Sequence, residues 1–142
     1  MVPKTALVIA DMLNSYDHED AERLRASAEK VVPVLCELVE RAREAGAPVI
    51  YVNDNFGEWR SDHRALVEDA LNGEHASLVE PIVPDDDAMF VVKARHSIFY
   101  ETPLEYLLRT QEIDEIVHVP HDPDLAGAVR DLSDRVARLE DR

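Results

Sequence analysis

Apolar residues fall into two arrangements along this chain, short unbroken runs and longer stretches at helical spacing, and the two alternate. The first run, Ala6–Ala10, is nearly continuous and partly β-branched, and it ends on an acid, Asp11. Such a run reads as a strand buried on both faces, as in a parallel sheet covered by helices. After a polar loop, Val31, Leu35, Leu38, Val39 and Ala42 recur at helical spacing within roughly Asp20–Ala45, and Gly46 then Pro48 supply the stop. Pro33 falls inside this stretch and predicts a kink or two abutting helices. Pro48–Val52 reads as a second strand. Ser61 is placed to cap a helix over about Asp62–Leu71, with Gly73 closing it, and Pro81–Asp87 reads as a connection. Met89–Lys93 is the third strand. Thr102, Pro103 and Glu105 then supply a cap, a first-turn proline and a capping-box acid for another helix. Glu115–Val119 is the fourth strand, and Asp122 with Pro123 opens a last helix.

Strands that alternate with helices predict an α/β fold: a three-layer open parallel sheet of about four strands, with right-handed crossovers and helices on both faces. The length fits one domain over residues 1–142. The last helix carries Leu125, Val129, Leu132, Val136 and Leu139, alternately four and three apart. Packing on its own sheet is the plain reading of that stripe, and a self-association seam is the second.

Composition narrows the partners. A net charge of −15 argues against nucleic acid and against an anionic membrane surface. No apolar run is long enough to cross a membrane, and Val2–Lys4 leads straight into a strand, which predicts no signal peptide. A single cysteine, Cys36, excludes an internal disulfide and fits a cytoplasmic protein. There is no Gly-rich phosphate loop after any strand, so no organic cofactor is expected. Of fifteen basic residues only Lys4, Lys30 and Lys93 are lysine, and Lys93 ends a strand as Asp11 does. Ligands of open parallel sheets sit at the carboxyl ends of the strands. Alone, Asp11 reads as a strand-ending acid that caps a turn; with Lys93 it becomes half of a candidate site.

Four separated segments carry a family resemblance: LVIADMLNSY, PVIYVNDNFGEWRSD, VVKARHSIFYETPLEYLLR and IVHVPHDPDLAGAV. Together they resemble the isochorismatase-like cysteine hydrolases, a family that includes nicotinamidases. The resemblance implies an isochorismatase-like, Rossmann-like fold and hydrolase chemistry built on an Asp, a Lys and a Cys. It places Asp11 as the acid that takes a proton from the thiol and Lys93 as the lysine that supports the thiolate and the developing negative charge. A nearby base, a nearby cation and a helix N-terminus all promote a thiolate. Backbone N–H groups at that helix start would form the oxyanion hole.

The chain departs from the family pattern at the nucleophile. Pro120 takes the place of a Gly, Pro123 that of a Thr, and Ala126 that of the cysteine. Cys36 lies far off in the first helical stretch and reads as a small hydrophobe. Leu125, Ala126 and His121 are expected beside a small-molecule ligand, with His121 in a position to titrate near neutrality. Phe56 and Trp59 either pack their loop onto the domain or, as the resemblance implies for aromatic residues of this loop, wall a small-molecule pocket or join a subunit contact. Family nicotinamidases bind a divalent ion through an Asp-x-His pair after the second strand. Here Asp54 is followed by Asn55 and Phe56, so no metal is expected. Family members also continue through further strands, so a stop at four leaves the last strand as an exposed edge unless the last helix or another subunit covers it, a reason to expect a homo-oligomer. Three functions follow. One is a degenerate relative that binds a small carbonyl or carboxylate ligand without thiol chemistry. The second is a hydrolase of an isochorismate-like vinyl ether that uses Asp11 as acid. The third is a structural, oligomerising subunit.

Overall fold

The four short apolar runs form the four strands β1 (Thr5–Ala10), β2 (Val49–Asp54), β3 (Met89–Lys93) and β4 (Glu115–Val119). They pair in parallel in the order β3-β2-β1-β4. The computed structural model describes residues 4–16, 21–55, 62–93, 98–99 and 102–119. β1 is interior and buried along its whole length, which explains its lack of polar alternation. Successive side chains point to opposite faces. Leu7, Ile9, Tyr51, Val117 and Val119 therefore join one core, while Ala6, Val8, Ala10, Ile50, Val52 and Val91 join the other.

The first core is closed by α1 (Ala21–Glu44), α2 (His63–Leu71) and α3 (Ala76–Val79), followed by a 3₁₀ turn at Glu80–Ile82. On the other face lies α4 (Leu104–Thr110), with Leu104 fully buried and Leu107 and Leu108 packed beside it. The sheet is thus covered on both faces.

Several local expectations are corrected. α1 is a single helix through Pro33, not two abutting ones. An interior proline costs about 3 kcal/mol. The stripe Ala28, Val31, Leu35, Leu38, Val39 and Ala42 is buried on the sheet, and each large apolar side chain buried contributes about 2 kcal/mol, so burial outweighs the defect. β2 runs to Asp54, because Asn53 and Asp54 still pair with Val92 and Lys93 of β3. The cap of α2 is Asp62, whose carboxylate accepts from the Ala65 N–H at 3.0 Å. Pro81 lies inside the 3₁₀ turn instead of a plain connection. At α4, Thr102 accepts from the Leu104 N–H at a long 3.4 Å, and Glu105 pairs with Arg109 at 2.7 Å rather than serving a capping box. The last helix and its apolar stripe lie outside the described residues.

Candidate active site at the carboxyl edge of the sheet

β1 hands its chain to a tight loop through Asp11. The Asp11 N–H gives the last bond to the neighbouring strand, to the Val52 carbonyl at 2.9 Å. Asp11 then adopts φ 57°, a left-handed conformation that aspartate tolerates better than most residues. That turn carries the following segment off the sheet and leaves the carboxylate above the strand ends. One oxygen, Oδ1, accepts from the Asp54 N–H at 2.9 Å, and the other, Oδ2, is 2.8 Å from the Lys93 ammonium.

Lys93 reaches this carboxylate from two strands away. β2 lies between β3 and β1, and neighbouring strands are about 4.8 Å apart, so the long flexible stem of a lysine spans the gap. Its side chain is 1% exposed against 23% for Asp11. A buried ammonium requires a paired counter-charge. The pair is therefore closed on the lysine side and partly open to solvent on the aspartate side.

The loop after Asp11 is held by a set of asparagines, of which Asn53 and Asn14 are not among the residues that the sequence singles out. Asn53, 1% exposed, accepts from the Leu13 N–H at 3.2 Å and donates to the Leu13 carbonyl at 3.0 Å and to the Asp54 carbonyl at 3.1 Å. Asn14 donates to the Asp11 carbonyl at 3.2 Å and accepts from the Tyr16 N–H at 2.8 Å. The Asn55 N–H donates to the Lys93 carbonyl at 2.9 Å, tying the end of β3 to the chain beyond β2. A signal was available: V-N-D-N ends a buried strand with consecutive polar residues, whose side chains must be satisfied where they are buried.

Asp11 and Lys93 are thus brought together, whereas Phe56, Trp59, His121, Leu125 and Ala126 lie outside the described residues. Cys36 lies on α1, with its thiol 3.5 Å from the Pro81 carbonyl. Burial pushes this thiol up, and the nearby Glu40 carboxylate adds to the shift, the opposite of what activates a nucleophile. His63 packs against Phe90 with ring centroids 5.4 Å apart, and His75 hydrogen-bonds Arg25 at 2.6 Å. Among the described residues no group of three or more His, Cys, Asp or Glu is arranged to hold a metal ion.

The family profile described as isochorismatase domain matches residues 5–119, the span that holds all four strands and both members of the pair. The chain belongs to the isochorismatase family. It is 36% identical over 112 residues to the uncharacterized isochorismatase family protein YaaI of Bacillus subtilis, covering 79% of this chain and 62% of that protein. A probable inactive nicotinamidase of Arabidopsis thaliana is 27% identical over 124 residues, covering 80% of this chain and 63% of the relative. The chain therefore spans about three fifths of the length of these curated relatives. The crystal structure of N-carbamoylsarcosine amidase from Thermoplasma acidophilum superposes with a TM-score of 0.62 at 30% identity, over 82% of this chain and 67% of the amidase. No helix among the described residues is long and apolar enough to cross a membrane.

Proposed function

We propose that this isochorismatase-family, hydrolase-like chain keeps the acid–lysine half of a cysteine hydrolase site, Asp11 and Lys93, and carries Ala126 where the nucleophile would stand. In this reading residues 1–142 are one domain that holds a small carbonyl or carboxylate ligand at the carboxyl edge of the sheet, beside Asp11, with Phe56, Trp59, His121 and Leu125 around it. The observation that carries the reading is the buried Lys93 paired at 2.8 Å with the more open Asp11 carboxylate. Covalent catalysis splits a hard acyl transfer into two easier steps but requires a nucleophile, and alanine offers none. Loss of one member of such a set abolishes most of the rate, because its members act as a unit. The Arabidopsis relative's description as probably inactive is consistent with a family in which activity can be lost. Self-association and a cytoplasmic location belong to the same reading.

The test is hydrolysis of a panel of amides and vinyl ethers by the wild type beside Ala126→Cys. The expected outcome is background turnover by the wild type and measurable amide hydrolysis by the variant. Wild-type turnover of an amide, abolished by Asp11→Asn, would overturn the assignment of Ala126. Turnover of a vinyl ether alone would point to Asp11 acting as a general acid.

A further inference from the structure

We infer that Asn53 is a positioning residue for the Asp11–Lys93 pair: its carboxamide takes over from the sheet ladder where β1 ends and fixes the turn that aims the Asp11 carboxylate. This inference rests on the reading of that pair as the functional centre. Up to Asp11, β1 is held by backbone bonds to β2, the last of them from the Asp11 N–H to the Val52 carbonyl. Beyond it, Leu13 can no longer meet β2 through backbone groups, because the φ 57° turn at Asp11 has lifted the chain away. The Asn53 side chain bridges the gap by serving both backbone groups of Leu13, accepting at 3.2 Å and donating at 3.0 Å. Asparagine suits the task because one planar group carries a donor and an acceptor side by side. The neighbouring residue completes the device, since the Asp54 N–H holds Asp11 Oδ1 while Lys93 holds Oδ2. Asn53 touches neither Lys93 nor the Asp11 carboxylate in these bonds and so acts through the turn.

The left-handed turn is disfavoured by itself, and Asn53 is fully buried with both ends of its amide engaged. Truncation would leave the Leu13 N–H and carbonyl without that partner in a buried setting, which is the costly direction of change. The predicted consequence is local. Asp11 loses its aim, Lys93 loses its carboxylate, and the lysine becomes reachable.

The chain offers a direct readout, because it has only three lysines: Lys4 and Lys30 are exposed and Lys93 is buried. Reductive methylation of the folded full chain with formaldehyde and a borane, followed by peptide mass mapping, gives the three rates in one sample and needs no ligand. We expect Asn53→Ala to raise the Lys93 rate about tenfold or more relative to Lys4 and Lys30, as local opening would. Leu35→Ala, which empties part of the α1 core, is expected to leave that ratio unchanged. In an Asp11→Asn background the pair is already broken, so Asn53→Ala should add less than about a factor of two, the non-additivity of residues acting through one another. Asn53→Ser, which leaves a short hydroxyl unable to serve both backbone groups of Leu13 and introduces no buried charge, should give a rise of the same kind and serves if the alanine variant fails to fold. An unchanged Lys93 ratio in both Asn53 variants would overturn the inference. So would an equal rise at all three lysines, or the same factor in the Asp11→Asn background. These rates are independent of the Ala126→Cys assay, so a silent assay beside the expected rates would count against the functional reading alone.

Discussion

Asp11 combines a left-handed backbone, at φ 57°, with an ion pair to a lysine that is 1% exposed. Strain of this kind persists only where surrounding contacts over-determine it, and here a backbone N–H, an ammonium and the Asn53 clamp all converge on one turn. Removing one member of a buried pair is more damaging than replacing both. Asp11→Ala is therefore expected to lower unfolding stability by about 3 kcal/mol in a urea titration, and Asp11→Ala with Lys93→Met to recover most of that loss. Two phenols make a separate residue-scale prediction. Burial pushes Tyr16 and Tyr51 up from 10.0 to about 12, with Tyr51 donating to the Ile82 carbonyl at 2.9 Å. Because the folded state holds the neutral form, their contribution to stability is complete below pH 10.0 and is lost as the pH rises toward about 12. A urea series from about pH 9 to about pH 12 should show stability falling, and Tyr51→Phe should flatten part of that slope. An unchanged slope would mean that Tyr51 is not buried as described.

At the scale of elements, the loop that carries Asp11 is held from two directions. Asn53 grips it from β2, and the turn after α2 closes on it from the other side, where Gly73 lies against Ser15. A Cβ built on Gly73 would stand 2.9 Å from the Ser15 Cβ and 3.2 Å from its Cα, too close for either to remain in place. The glycine is required by close approach and not by its backbone angles. Gly73→Ala is expected to destabilise the fold by about 1–3 kcal/mol, the usual range for overpacking, with the loss visible as a lower urea midpoint at constant slope. α1 teaches a related lesson. Its apolar stripe is legible at helical spacing, but the choice between one helix and two abutting ones at Pro33 is not, because a proline is a local signal and the sheet against which the stripe packs is a long-range one. β2 repeats the point, since Asn53 and Asp54 look like loop residues until their pairing with β3 is known.

At the scale of the whole molecule, the described sheet has β3 and β4 as its edges. A strand at the edge of a sheet is a template for further pairing, while a net charge of −15 opposes close approach of copies through self-repulsion. If the edge pairing wins, sedimentation equilibrium at micromolar protein should report a mass above the 16.0 kDa monomer, with association strengthened by added salt. A monomer at all salt concentrations would remove self-association from the functional reading.

What the sequence by itself determined is the set of local patterns: four apolar runs long enough for strands, helical stretches between them, and hence a parallel α/β sheet with an acid and a lysine at strand ends. Local apolar period and the crossover rule suffice for that. Only the tertiary structure decided that β2 separates β1 from β3, so that Lys93 must cross a strand to meet Asp11, and that Asn53 and Asp54 fix the geometry of the meeting. Those contacts join residues some forty to eighty positions apart. Their existence depends on strand order and register, which no local pattern encodes, and on the reach of individual side chains once the backbone is in place.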